Sequence, residues 1–298
     1  MRTMKIRFGV GLGAEVGPAA LPALVDRLEE AGIDSLWFSE LVYSPAVDPV
    51  VGMTFALART NRLKVGTSVA VLPGRHPVLV AKELASLAAL APKRVLPVFG
   101  LRSALPAERD LFPVPDGRRA AVFDEALVLL RTVLGSAEPV NFTGDHHRVR
   151  DAVIAPKPAA PLDIWIGGSS PAAYRRIGAL GDGWLGSFLT PQEAGQARRA
   201  IIEAAERAGR AIEPDHYGIN LAVGTGELPD TVAAAVRARR PDLDPATLVA
   251  ADWPALHRQL DAYIDAGLTK FVIRPLGAGP DAADFVDRFA RELLPRQN

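Results

Sequence analysis

The sequence predicts an α/β protein, a (β/α)8 TIM barrel with insertions, spanning residues 1–298 as a single domain. Two observations carry that expectation. Short, β-branched, nearly continuously apolar runs alternate with longer amphipathic stretches up to the C-terminus, as parallel strands covered on both faces require. Eight such units fit in 298 residues, whereas an open doubly wound sheet usually ends after about five or six strands.

The first strand candidate, 5–11, runs into Gly9-Val10-Gly11-Leu12-Gly13. A dinucleotide fingerprint is excluded there by spacing: the third glycine position is Ala14, and the helix has not begun before Gly17-Pro18, so no helix N-terminus would lie under a pyrophosphate. The glycines are expected to permit close backbone approach. Leu21, Leu24, Val25 and Leu28 then follow helical spacing, and strand 35–40 ends on the acid Glu40. Strand 63–71 is followed by Leu72-Pro73-Gly74-Arg75-His76-Pro77. This puts Arg75 and His76 at the C-terminal end of a strand, the catalytic face of a barrel. Strand 94–99 leads into Phe99-Gly100-Leu101-Arg102. Residues 135–161, with prolines at 139, 156, 158 and 161, fit the alternation badly and read as an insertion. The adjacent His146 and His147 lack metal-ligand spacing, so no metal site is expected.

Strand 163–167 runs into Gly167-Gly168-Ser169-Ser170-Pro171. The glycines let the backbone approach a phosphate, hydroxyls and N–H groups donate to it, and the following helix presents its positive end. The same residues also fit an ordinary βα turn with a Ser cap. Strands 184–188, 217–223 and 270–274 complete the set. A second insertion, 224–252, holds an extra helix near 230–239. The stripes Trp253, Leu256, Leu260, Ile264 and Phe285, Phe289, Leu293 mark the last helices.

Composition narrows the function. With 34 basic and 34 acidic side chains and pI near 7.0, the chain lacks the cationic surplus that binds nucleic acid nonspecifically. With no cysteine, a thiolate nucleophile, an iron–sulfur cluster and a disulfide framework are excluded, and redox chemistry needs a borrowed cofactor. No signal-peptide h-region follows the N-terminus and no apolar stretch approaches the roughly 18 residues of a bilayer span. A cytoplasmic protein acting on a small molecule, with neither membrane nor nucleic acid as partner, is expected.

Four segments carry a family resemblance: Asp34-Ser35-Leu36-Trp37-Phe38-Ser39-Glu40; Arg75-His76-Pro77 through Lys82-Glu83; 144–158, ending in Ala155-Pro156-Lys157-Pro158; and 164–170, followed by Gly181-Asp182-Gly183-Trp184. In this order the chain resembles the bacterial-luciferase-like oxidoreductases, (β/α)8 enzymes that bind FMN or coenzyme F420. The resemblance implies a cofactor ring across the barrel mouth, backed by a bulged, often cis-linked third strand at Ser68 and Val69. It also implies a phosphate held by Gly167, Gly168, Ser169 and Ser170, with Gly100 nearby. Compact length and Ala/Arg-rich composition favour the F420 branch. Where that branch often has a histidine after the acid of strand two, this chain has Leu41, and Arg102 lies where an acid usually follows strand four. The expected activity is hydride transfer between F420 and a small organic substrate in the reducing direction, with Glu40 or His76 as proton donor and a homodimer as the assembly. An FMN monooxygenase fed by a separate reductase, or a non-catalytic flavin-binding barrel, are the alternatives.

Overall fold

The computed structural model describes residues 5–13, 16–276 and 282–298. Residues 1–4, at the end searched for a leader, and Ala14 of the glycine motif lie outside them.

Strands and helices alternate along the chain in the sequence β1 (Arg7–Gly11), α1 (Leu21–Glu30), β2 (Ser35–Phe38), α2 (Pro49–Arg59), β3 (Lys64–Thr67), β4 (Ala70–Val71) and α3 (Pro77–Leu90). There follow β5 (Val95–Leu96), β6 (Val98–Gly100), α4 (Arg119–Gly135), β7 (Val140–Thr143), β8 (Arg148–Ala152), β9 (Trp165–Gly167), α5 (Pro171–Leu180), β10 (Gly183–Gly186) and α6 (Pro191–Arg207). The chain closes with β11 (Tyr217–Val223), α7 (Asp230–Arg239), α8 (Pro245–Leu248), α9 (Trp253–Asp265), β12 (Lys270–Pro275) and α10 (Ala282–Leu293).

Ten of the strands form one curled sheet in the order β4-β6-β9-β10-β11-β12-β1-β2-β3-β5, every pair of it parallel. The expected strands 63–71 and 94–99 are each observed as two pieces. The first breaks at Ser68-Val69, a cis peptide, and the second at Pro97, which has no N–H for a ladder. The Thr67 hydroxyl spans the gap, accepting from Val98 N at 2.8 Å and donating to Val98 O at 2.7 Å.

Alternate residues of each strand face opposite sides, and each side has its own apolar cluster. Leu36, Phe38, Ile166, Phe271 and Ile273 pack with the helix stripes, including Leu21, Leu24, Val25 and Leu28 of α1. Their neighbours Trp37, Trp165 and Val272 join Val98 and Leu185 on the other face. On α9 the buried stripe is Trp253, Leu256, Leu260 and Tyr263, so Tyr263 takes the fully buried place expected of Ile264. The glycines of β1 serve close approach: a Cβ at Gly9 would come within 2.3 Å of Ser35 Oγ, and one at Gly11 within 2.7 Å of Arg274 Cγ.

The insertion at 135–161 contains the antiparallel hairpin β7–β8. Its turn is held by Glu125, whose carboxylate accepts from the amides of Asp145, His146 and His147. The second insertion carries α7 where the sequence placed a helix, and then α8. No helix among the described residues is long and apolar enough to cross a membrane.

Candidate active site

Parallel strands end on one side, and there the loops enclose a cavity of ≈ 1030 Å³. Glycine shapes its floor. The Val69 side chain sits between Gly100 and Gly167: a Cβ on Gly100 would approach Val69 Cγ2 to 2.6 Å, and one on Gly167 would approach Cγ1 to 2.9 Å. Ser68, Val69, Gly100 and the four residues 167–170 all line this one cavity, so the cofactor-binding set inferred from sequence comes together.

Gly168 shapes the turn after β9. Gly168 adopts φ +130, a backbone conformation that L side chains rarely adopt, and a Cβ there would also lie 2.8 Å from that of Ala173. Its carbonyl accepts from Trp184 Nε1 at 2.9 Å. Ser170 caps α5, its hydroxyl accepting from Ala173 N at 3.2 Å, with Pro171 opening the helix. Ser170 is thus the helix cap that the sequence allows, and with Ser169 it lines the cavity at the N-terminus of α5.

The two acid–base candidates part company. Glu40 lines the cavity but is buried, and both of its oxygens are engaged: Oε2 accepts from Val71 N at 2.6 Å, Oε1 from Arg75 Nη2 at 2.5 Å. Burial pushes its pKa up, and the Arg75 charge and the Val71 amide only partly offset that. His76 is exposed and does not line the cavity. Its Nδ1 accepts from Val78 N at 3.3 Å as the cap of α3, and its ring meets His147 edge-on at 6.1 Å. Leu41 lines the cavity beside Glu40 and offers no titratable proton.

A polar network that the sequence reading missed crosses the floor. Arg274, at the end of β12, donates to Ser39 Oγ at 2.7 Å, Ser68 Oγ at 2.8 Å and Leu12 O at 2.8 Å. Ser68 Oγ donates to Asn220 Oδ1 at 2.8 Å, and Asn220 Nδ2 donates to Ser187 Oγ at 3.0 Å. The signal was strand parity: Arg274 shares a face with the buried Val272, and Asn220 with Gly218, in mainly apolar runs. The cavity wall carries further cations. Among the described residues Arg102 and Arg109 have no ion-pair partner, while Arg176 pairs with Asp124 and Arg240 with Glu193.

A family model described as luciferase-like monooxygenase matches residues 3–269. An F420-dependent glucose-6-phosphate dehydrogenase of Beutenbergia cavernae is 30% identical, the match covering 98% of this chain and 97% of that one. Among solved structures, an F420-dependent secondary alcohol dehydrogenase in complex with an F420-acetone adduct superposes with TM-score 0.83 at 19% identity over 99% of this chain and 100% of the other. The coenzyme F420 dependent tetrahydromethanopterin reductase of Methanopyrus kandleri gives 0.79 at 17%, over 99% and 100%. Likeness at these identities is likeness of fold, while the family match spans most of the chain. The chain belongs to the luciferase-like monooxygenase family.

Proposed function

We propose that this chain is an F420-dependent oxidoreductase that moves a hydride between the deazaflavin and a small organic substrate, in the reducing direction. The observation that carries it is the meeting, in one cavity, of the glycine-flanked Val69 floor with the 167–170 cradle at the head of α5. A flat ring system needs the first and a phosphate the second. Both are shaped by positions where any Cβ would collide. The name of the B. cavernae relative supports F420 over FMN, as does a wall rich in arginine, which suits a cofactor with several negative charges. We read the sheet as a closed (β/α)8 barrel over 1–298: β1 pairs with both β12 and β2, and β3 with β4, like β5 with β6, counts as one interrupted strand. Apolar Val51 and Leu79, exposed on α2 and α3, support a homodimer.

When bound, F420 supplies the hydride-carrying carbon. The protein's share is to hold and to exclude. Val69 supports the ring, the 168–170 amides and hydroxyls hold the phosphate, and Leu41, Leu101 and Val71 keep water from the reacting face. Oxidising an alcohol requires a base to take its hydroxyl proton, and such a base contributes a factor of about 10²–10⁴. Here Leu41 cannot act, Glu40 is held at both oxygens and His76 lies outside the cavity. Reduction of an activated acceptor, with its proton drawn from solvent, asks less of these residues.

The test is a fluorescence titration with F420 and FMN side by side, followed by turnover in both directions. At least about tenfold tighter F420 binding is expected. Oxidation of reduced F420 by electron-poor enones or imines should outpace reduction of F420 by glucose 6-phosphate or secondary alcohols. Equal affinities would refute the cofactor. Brisk oxidation of the sugar phosphate would refute the direction.

A further inference from the structure

Beside the main cavity, α5 and α6 enclose a second hollow of ≈ 480 Å³, whose lining includes Tyr174, Arg175, Gln196, Glu203 and Arg207. Ser169 lines both spaces. A chain that continues beyond a phosphate in the 167–170 cradle and leaves past Ser169 therefore enters this groove. One side chain backs both: Trp184 donates to Gly168 O in the cradle and meets the Tyr174 ring edge-on at 6.2 Å in the groove wall.

The groove offers donors. Tyr174, Arg175, Gln196 and Arg207 can all donate, and among the described residues Arg175 has no ion-pair partner. Of its two acids, Glu193 is already engaged, accepting from Arg240 Nη2 at 2.8 Å and Thr190 N at 2.8 Å. Glu203 lies 3.8 Å from Arg207, with both side chains mostly exposed, a loose pair that a competing carboxylate can replace.

We propose that this groove binds a polycarboxylate chain, the glutamyl tail that continues past the phosphodiester of F420, and that it is where the protein tells F420 from FMN, whose phosphate is terminal. The inference rests on the cofactor reading above. Guanidinium groups receive carboxylates through paired N–H donors, and such exposed contacts weaken with salt.

The experiment is equilibrium fluorescence titration of the intact protein with three probes: F420, the deazaflavin fragment F0, which lacks phosphate and tail, and FMN. Substituting Arg175→Gln together with Arg207→Gln should weaken F420 binding about three- to tenfold at low salt, leaving F0 and FMN within about twofold. Glu203→Gln removes a like charge and should strengthen F420 binding by roughly twofold. Both effects should fade near 0.5 M salt, roughly the range where the screening length shrinks to a few ångströms. F420 affinity unmoved in both variants would overturn the groove, as would F0 affinity falling in step with it. Failure of the cofactor reading is seen separately, in the wild-type protein, as no preference for F420 over FMN.

Discussion

Replacing Glu40 by Gln tests whether burial or ion pairing dominates at the edge of the cavity. The Glu40 side chain is 3% exposed and accepts from Val71 N at 2.6 Å and Arg75 Nη2 at 2.5 Å. A hydrogen bond to a charged group contributes about 1.5–3 kcal/mol. Gln retains one acceptor oxygen, so one bond is lost and an amide N–H₂ faces the Arg75 donor. As Glu40 ionises at higher pH this cost is offset, because Gln has no charge to desolvate, and desolvation is the largest influence on Glu40, raising its pKa. The net cost is about 1–2 kcal/mol at acid pH, or roughly 2–4 °C in the thermal midpoint of a chain this size. With its folded pKa above its unfolded one, Glu40 gives its full contribution below the ordinary glutamate value of about 4.3 and loses it as pH rises through the folded value. Gln does not titrate. The stability gap between wild type and Glu40→Gln, measured by calorimetry at constant ionic strength, should thus be widest near about pH 4 and narrow toward neutrality. A gap that widens with pH would show that the Arg75 pair outweighs burial, and would refute the argument.

Three further variants probe the site. His76→Ala should cost up to about 1 kcal/mol of stability through the lost α3 cap and leave hydride transfer within about twofold; a tenfold slower rate at an unchanged thermal midpoint would return His76 to the chemistry. Ser169→Ala combined with Gly168→Val should weaken cofactor binding roughly 10- to 150-fold with the circular dichroism spectrum retained, and unchanged binding would move the phosphate elsewhere. Leu41→Ala removes packing only, so enone or imine reduction should stay within about tenfold, and a larger loss would give Leu41 a role beyond filling space.

The helix stripes were legible because helical period and burial coincide: Leu21, Leu24, Val25 and Leu28 are all buried. The hairpin at 140–152 was not, since its strands are short and mostly solvated and its turn is held from outside the hairpin, by Glu125 of α4. At the site, the glycine–serine turn could be read because its residue types are tied to backbone geometry. His76 could not be assigned from residue type, although the following Pro77 marks a helix start and so a capping position. Arg274 and Asn220 were passed over because each lies in a mainly apolar strand, and only the assembled sheet brings Ser39, Ser68 and Ser187 to meet them.

The Thr67 hydroxyl, which bonds both the N–H and the C=O of Val98, makes one side chain the keeper of the main-chain order around it. Amide exchange at Val98 therefore reports on a rotamer rather than on a strand. With Thr67→Val, a near-isosteric change, that amide should lose protection while the amides of β1 and β12 hold theirs. The seam between the third and fourth strands is then a place where the sheet can be loosened locally, one atom at a time, without unpicking the rest.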